Sequence, residues 1–362
     1  ASGDLAVVFD ADRKFAAVGL FDPASPIRIK VLHHGRPVTI DSEFWWQRLN
    51  AAAERRVPLV APDDTTGYRL VHGENDQMPG LVVDVYDRTL VVKLYSAAWF
   101  AHLRAIKTQL TRLLHPERIV LRLARNVQHP EWSDGDTLLG TPPDGPVMFL
   151  ERGLTFEADV VSGQKTGHFL DQRDNRRLVG ALCADAQVLD VFASTGGFSV
   201  HAAAGGARDI TAIDLSAPTL AVARRNLDHN RLMPNGFRPI VGDAFEELER
   251  LRGRQYDVVV VDPPSFAQRQ HERDRAVRAY ARLTELAIPL VRAGGVLVQC
   301  SCSSRVAADD FFRTVALAAA RTGRPLDEIR RTAHGIDHPV GFAEGAYLKA
   351  VFSRVGARDT TR

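Results

Sequence analysis

Cysteine is scarce in this chain: 362 residues contain three, Cys183, Cys300 and Cys302. An odd, sparse set with no signal-peptide pattern at the start excludes a disulfide scaffold and points to a reducing cytoplasm. Long apolar runs are missing too. The stretch Tyr256–Val261 already contains Asp257 and falls far short of the roughly 20 residues of a membrane span, which excludes a helical membrane protein. No repeat period is visible, and 27 Gly with 19 Pro stay below a low-complexity composition. Neither sign of charge dominates. With 46 Lys and Arg against 44 Asp and Glu, a polyanionic partner would have to meet a local patch. No Walker-type lysine and no G-x-G-x-x-G turn occur, so a triphosphate site is excluded and a nicotinamide dehydrogenase is a distant reading. The Cys-x-Cys pair has no second pair and no histidines at ligand spacing, which argues against a metal.

What is present is a globular composition, 45% hydrophobic and 25% charged, at a length that predicts two or three domains. Leu5–Val31 alternates short apolar stretches with Asp, Gly and Pro, as a small β-rich module does. Helical spacing follows over Asp41–Arg56, with Ser42 as N-cap and Glu54-Arg55-Arg56 as its close. A boundary near 57 opens a small α+β domain, with strands at Tyr68–Val71, Gly80–Val85, Thr89–Tyr95 and Arg118–Leu123 and a helix over Ala97–Leu114. Gln128–Pro146 reads as a surface connection and Phe149–Val161 as strand. From Gln187 short buried strands alternate with helices, at Gln187–Phe192, Ile210–Asp214, Pro239–Val241, Tyr256–Asp262 and Val296–Cys300. That alternation predicts an α/β, doubly wound parallel sheet, whose ligands bind at the carboxyl ends of the strands.

Three acids sit where those strands should end. Asp190 precedes a turn through Gly196 and Gly197, which lets backbone approach a ligand without a Cβ in the way. Asp214 ends the second strand, where an acid can accept ribose hydroxyls, and Asp243 follows the third, placed to accept an adenine amino group. An adenosine cofactor with no phosphate clamp suggests S-adenosylmethionine. Asp at a strand end is also common turn chemistry, but three acids at three successive strand ends favour ligand binding. On the reaction side, Asp262 is held at the lip of the sheet by Pro263 and Pro264. Cys302, nearer the open end of its strand and flanked by Ser301 and Ser303, is a better nucleophile candidate than Cys300. Cys183 is expected in a core.

Together the run Ser162–Arg176, the Thr195-Gly196-Gly197-Phe198 turn, Asp262-Pro263-Pro264-Ser265-Phe266 and Cys300-Ser301-Cys302-Ser303-Ser304 resemble the bacterial ribosomal RNA large subunit methyltransferase I family, which makes 5-methylcytidine. Tyr68–Leu81 and Gly345–Ala350 extend the likeness over most of the chain, while Leu121–Asn126 departs from the family pattern. The resemblance implies a PUA-like RNA-binding module over 1–56, of which Asp4–Leu32 matches only the later part, a central α+β domain over 57–160, and a Rossmann-like methyltransferase domain over 161–362. It implies ribosomal RNA as substrate and a homodimer. Carried over residue by residue, the cofactor set is Gln164, Asp190, Phe192, Thr195, Gly196, Gly197, Phe198, Asp214, Leu215, Ser216, Asp243, Ala244, Asp262 and Pro263. Cys302 is the residue matched to the nucleophile that adds to cytosine C6, and Asp262 would orient the base and supply a proton at N3 if held protonated.

Chemistry at C5 requires the base to be unstacked from its neighbours. The segment Gln268–Arg282 carries five arginines against Glu272 and Asp274, a candidate phosphate-contacting stretch in which Arg269 and Arg273 are the first two. Arg173 and Arg176 are RNA candidates or structural ion pairs. Two rivals stay open: a purine N-methyltransferase of ribosomal RNA, which needs no cysteine, and a non-catalytic RNA-binding assembly factor.

Overall fold

A computed structural model of the chain describes residues 1–232, 235–267 and 269–357. They form two compact units, Ala1–Leu170 with Ile336–Gly341, and Asp171–Gly335 with the chain from Phe342 onward. No helix among the described residues is long and apolar enough to cross a membrane.

In the first unit, β1 (Leu5–Phe9), β2 (Phe15–Phe21) and β3 (Ile29–His34) make an antiparallel sheet in that order. Asp41, one residue before the expected cap, takes the Phe44 N–H at 3.0 Å and starts α1 (Ser42–Val60). The helix does not close on its charged run. Arg56 turns inward, 1% exposed, and forms a two-pronged pair with Asp76 at 2.8 and 2.7 Å, so α1 runs on to Val60. The strands β4 (Gly67–His72), β5 (Leu81–Tyr86), β6 (Thr89–Leu94), β7 (Arg118–Leu123) and β8 (Thr137–Leu139) form one sheet, with β6 and β7 parallel across the helix α2 (Leu103–Leu114). The strand β8 lies inside the stretch expected to be a surface connection.

The single strand expected over 149–161 is instead a hairpin of β9 (Val147–Glu151) and β10 (Leu154–Ala158). Its two turn residues, Arg152 and Gly153, have φ of 52° and 77°, the sign that matches the twist of paired strands. Leu20, Leu32, Trp45 and Leu49 share one core with Leu70, Val83, Trp99 and Leu121. The expected boundary at 56/57 therefore falls inside a single core, and the division lies after Leu170. Arg122 of β7 lies inside the Leu121–Asn126 stretch. Its buried guanidinium donates to Asp134 at 2.9 Å and to the carbonyls of Val160 and Gly163 at 3.3 and 3.2 Å, pinning the start of the Ser162–Arg176 run.

The second unit opens with α3 (Arg173–Gly180) and continues β11 (Gln187–Val191), α4 (Gly197–Ala204), β12 (Asp209–Asp214), α5 (Ala217–His229), β13 (Gly236–Val241), α6 (Ala244–Arg250), β14 (Tyr256–Val261), α7 (Arg273–Ala287), β15 (Val291–Ser301), α8 (Ala308–Arg321), β16 (Leu326–Thr332) and β17 (Lys349–Val355). These strands form one sheet ordered β13-β12-β11-β14-β15-β17-β16, parallel through β15 and antiparallel at β17. All five strands read from the apolar runs are present. On one face Leu248 of α6 and Leu283 of α7 pack on Leu189 and Val259; on the other, Val179 of α3 and Phe198 of α4 pack on Val188 and Val258. The order reverses between β11 and β14, which opens a crevice at their carboxyl ends.

Candidate active site

Asp190 lies in that crevice, fully buried near the end of β11. Its Oδ2 accepts the Ser199 hydroxyl at 2.7 Å, while Oδ1 is buried with no hydrogen-bond partner. Burial pushes its carboxyl up to about 6, with Ser199 opposing, Asp214 adding and Arg176 opposing. The turn that follows is strained. Phe192, Ser194 and Gly196 all have positive φ, at 64°, 49° and 76°, a left-handed backbone that side chains disfavour. Gly196 also has no room for a side chain, because a Cβ there would meet the Cβ of Ala223 at 2.5 Å. The Thr195 carbonyl is held by Asn226 at 2.9 Å.

The next two acids hold loops as well as facing the crevice edge. Asp214 takes the Ser194 N–H on Oδ2 (2.8 Å) and the Ser216 N–H on Oδ1 (2.9 Å), so it ties the turn after β11 to the loop after β12. Within that loop Leu215 is 69% exposed and Ser216 caps α5. Asp243 caps α6 through Oδ1, from Phe245 N–H at 2.9 Å and Glu246 N–H at 3.3 Å, ahead of buried Ala244. Turn chemistry and ligand binding are thus compatible here, since a carboxylate has about four lone-pair sites.

Asp262 follows β14. Although part of its residue surface stays open, its carboxyl is surrounded by protein, and burial raises it to about 7, with Asp171 adding and Arg176 opposing. Gln172 donates to Oδ1 at 2.7 Å. That amide is itself oriented: Asn175 donates to its Oε1 at 2.6 Å, and Thr332 donates to Asn175 at 2.6 Å. Across the crevice edge, Cys302 Sγ lies 3.7 Å from the Pro263 carbonyl, half-buried, whereas Cys300 is fully buried and its thiol is pushed well above its ordinary value by burial.

The loop carrying Cys302 is gripped on both sides. Ser301 and Ser303 both bond the Tyr280 hydroxyl, at 2.9 and 3.0 Å, and Ser303 also bonds Ser265 at 3.0 Å. Lys349, 2% exposed and opposite Ser301 across the sheet, donates to the carbonyls of Ser303 and Val306. Burial lowers its ammonium to about 8, with Cys302 pulling the other way.

Two expected RNA contacts are corrected by burial. Arg173 and Arg176 are 1% and 3% exposed, so neither offers its charge to a strand at the surface. Arg176 lies instead under the turn, where a Cβ on Gly197 would meet its side chain at 2.7 Å. Arg273 is engaged with Asp310 at 2.6 Å and Asp274 at 3.0 Å, and Arg269 is exposed; Gln268 lies outside the described residues. Gln164 belongs to the first unit, exposed on a turn whose Gly167 N–H meets its carbonyl at 2.9 Å. The other cofactor candidates are all in the second unit.

An orphaned buried carboxylate oxygen on Asp190, a side-chain-free turn at Gly196 and acids at the carboxyl ends of β11, β12 and β14 suit a nucleoside that carries a positive centre. The profile of the S-adenosylmethionine-dependent methyltransferases matches residues 68–352. The chain belongs to this methyltransferase family. Its relatives include a ribosomal RNA large subunit methyltransferase of Deinococcus radiodurans, 45% identical over 97% of this chain and 88% of the relative. Ribosomal RNA large subunit methyltransferases I of Aeromonas salmonicida (37%, 97% and 90%) and Pseudoalteromonas translucida (34%, 98% and 91%) extend the likeness.

Among solved structures, SMU.776 in complex with SAH shares the fold at a TM-score of 0.85 and 20% identity, over 98% of this chain and 92% of that one. Trm5b of Pyrococcus abyssi does so at 0.56 and 16%, over 76% and 75%. S-adenosylmethionine is therefore the cofactor of this methyltransferase, as the strand-end acids predicted. Four residues that support the candidate site carry no signal of their own in the sequence: Gln172, Asn175, Tyr280 and Lys349. The first two and Lys349 sit inside the motifs that carry the resemblance, and Tyr280 lies within the arginine-rich stretch.

Proposed function

We propose that this methyltransferase converts a cytidine of large-subunit ribosomal RNA to 5-methylcytidine through a covalent adduct at Cys302. The observation that carries the reading is the half-buried Cys302 beside the carbonyl of Pro263, the residue that follows Asp262, with Cys300 sealed in the core. The names of the relatives support ribosomal RNA as substrate. The sheet β1–β3 is read as part of a PUA-like RNA-binding module on resemblance alone.

Cytosine C5 is a poor nucleophile. The Cys302 thiolate adds to C6, forming the S–C6 bond, and the C5=C6 pair becomes available at C5 while Asp262 holds a proton at N3. Bound S-adenosylmethionine supplies the electrophilic methyl group, with Asp190, Gly196 and Asp214 as the residues that would hold it. Water or hydroxide then takes the C5 proton, the C5–H electron pair restores C5=C6, Cys302 leaves C6 as the thiolate, and the N3 proton returns to Asp262. Tyr280, Ser301, Ser303 and Lys349 keep the thiol aimed, which a covalent addition requires more than a direct transfer does.

The test is transfer of labelled methyl from S-adenosylmethionine to unmodified large-subunit ribosomal RNA, followed by nucleoside analysis. The wild type is expected to yield 5-methylcytidine and Cys302→Ala none, with cofactor binding retained. A methylated purine made equally by both proteins would overturn the assignment.

A further inference from the structure

We infer that a pocket beside the Asp262–Phe266 turn binds an unpaired nucleotide of the RNA strand next to the one being methylated, its base on an aromatic face and its phosphate on Arg275 and Arg278. This rests on the RNA substrate proposed above. The pocket, about 540 Å³, is lined by Phe245, Ser265, Phe266, Arg275, Arg278 and Arg282. Its volume is in the range of about 300–1,000 Å³ that small-molecule sites occupy.

The lining combines the two things a single-stranded nucleic acid needs, aromatic surface for a base and cations for the backbone. Phe245 and Phe266 have ring centroids 6.4 Å apart and planes inclined by 42°, a corner on which a base stacks against one ring. Arg282 is already engaged, over the Phe245 ring at 5.3 Å and with Glu249 at 3.2 Å. Arg275 and Arg278 are different. Both are exposed, and among the described residues neither meets an acidic side chain. Residues 275, 278 and 282 fall three and four apart on α7, hence on one face, where like charges repel and weaken a helix. An anionic ligand removes that repulsion.

Position ties the pocket to the reaction. Ser265, in its wall, bonds Ser303, the residue after Cys302, and Phe266 closes the turn that begins at Asp262. A nucleotide held there is adjacent to a base presented to Cys302. None of the lining residues belongs to the cofactor set, although Phe245 follows Asp243 and Ala244, so an adenine of the cofactor is the competing occupant.

The experiment compares wild type with the double variant Arg275→Ala/Arg278→Ala, and with Arg275→Lys/Arg278→Lys, on transcribed large-subunit ribosomal RNA. It reads RNA affinity against salt, the KM for RNA, and SAH affinity by calorimetry; circular dichroism confirms that these surface changes leave the fold intact. RNA affinity is expected to fall about 10- to 100-fold in the alanine variant, with the slope of log K on log salt shallower by about 1.4, two single-strand phosphates' worth. The lysine variant is expected to recover most of this, and SAH affinity to stay unchanged. Unchanged RNA affinity and slope overturn the pocket while wild-type methyl transfer to RNA keeps the function reading. A loss of SAH affinity in the alanine variant gives the pocket to the cofactor. If the wild type transfers no methyl to RNA, both readings fall together.

Discussion

Asp262 is a carboxyl whose position works against its own ionisation. In the unfolded chain it titrates near about 3.9. Folding raises it to about 7, with burial the largest cause. Between those values the folded chain keeps a proton that the unfolded chain has lost, so its contribution to stability falls as pH rises from about 4 to 7, and the full penalty persists above 7. Asp190 shifts in the same direction, which makes the comparison with a variant more informative than the wild-type curve alone. Asp262→Asn is expected to be more stable than wild type at pH 8, equally stable at pH 4, and inactive in methyl transfer. Denaturant midpoints at the two pH values check this; a stability difference that does not change with pH would show that the carboxyl is not held neutral by burial. The same reasoning separates Cys300 from Cys302, since burial, joined by the charge of Asp262, pushes the Cys300 thiol well above its ordinary value.

The turn between β11 and α4 illustrates how a loop is made stiff enough to hold a ligand. Three left-handed residues in five positions are tolerated because Asp214 grips Ser194 and Asn226 grips Thr195. The two adjacent glycines are not equivalent. At Gly196 an added methyl meets the backbone and Cβ of Ala223 in α5, at 2.9 and 2.5 Å, under a φ that already disfavours a side chain. At Gly197 the three nearest atoms all belong to the Arg176 side chain, and no positive φ adds to the contact. Gly196→Ala is therefore expected to cost about 3 kcal/mol and to weaken SAH binding, and Gly197→Ala about 1 kcal/mol. Chemical denaturation with calorimetric titration of SAH separates the two; equal losses would mean that the turn yields as a whole.

Chain connectivity joins the two units more than once. After β16 the chain enters the first unit for Ile336–Gly341 and then returns to form β17, between β15 and the edge strand β16 of the second unit's sheet. The returning segment is anchored by Arg56, which donates to the Asp337 carbonyl at 3.0 Å as well as to Asp76, and by the Asp337 carboxylate, which takes the Arg69 N–H at 3.1 Å. Removing one member of a buried pair leaves the other charge desolvated, which costs about 3–5 kcal/mol. Arg55 also reaches Asp76, at 3.0 Å, so the loss for Arg56→Ala is expected at about 3 kcal/mol, the low end of that range. Hydrogen exchange is expected to show faster opening of β4 and of residues 336–341 together. Opening of β4 alone would show that Arg56 does not anchor the returning segment.

The parallel strands, the acids that follow them and the Cys302 loop were legible from the residues, because a strand buried on both faces leaves an uninterrupted apolar run and its loop is marked by Gly, Pro and Asp. Burial of charged residues was not. Nothing in the local pattern marks Arg56, Arg122, Arg173, Arg176 or Lys349 as interior, and each is buried in the structure. The difference is physical: a charge goes inside only where partners wait for it, and the partners of Arg56 at Asp76 and Asp337, or of Lys349 at Ser303 and Val306, lie 20 to 281 residues away along the chain. Local pattern gives the period and the ends of an element. It cannot give the distant carbonyl or carboxylate that lets a charged side chain leave water, and that is why Arg176 lies buried beneath the Gly196–Gly197 turn rather than at the surface.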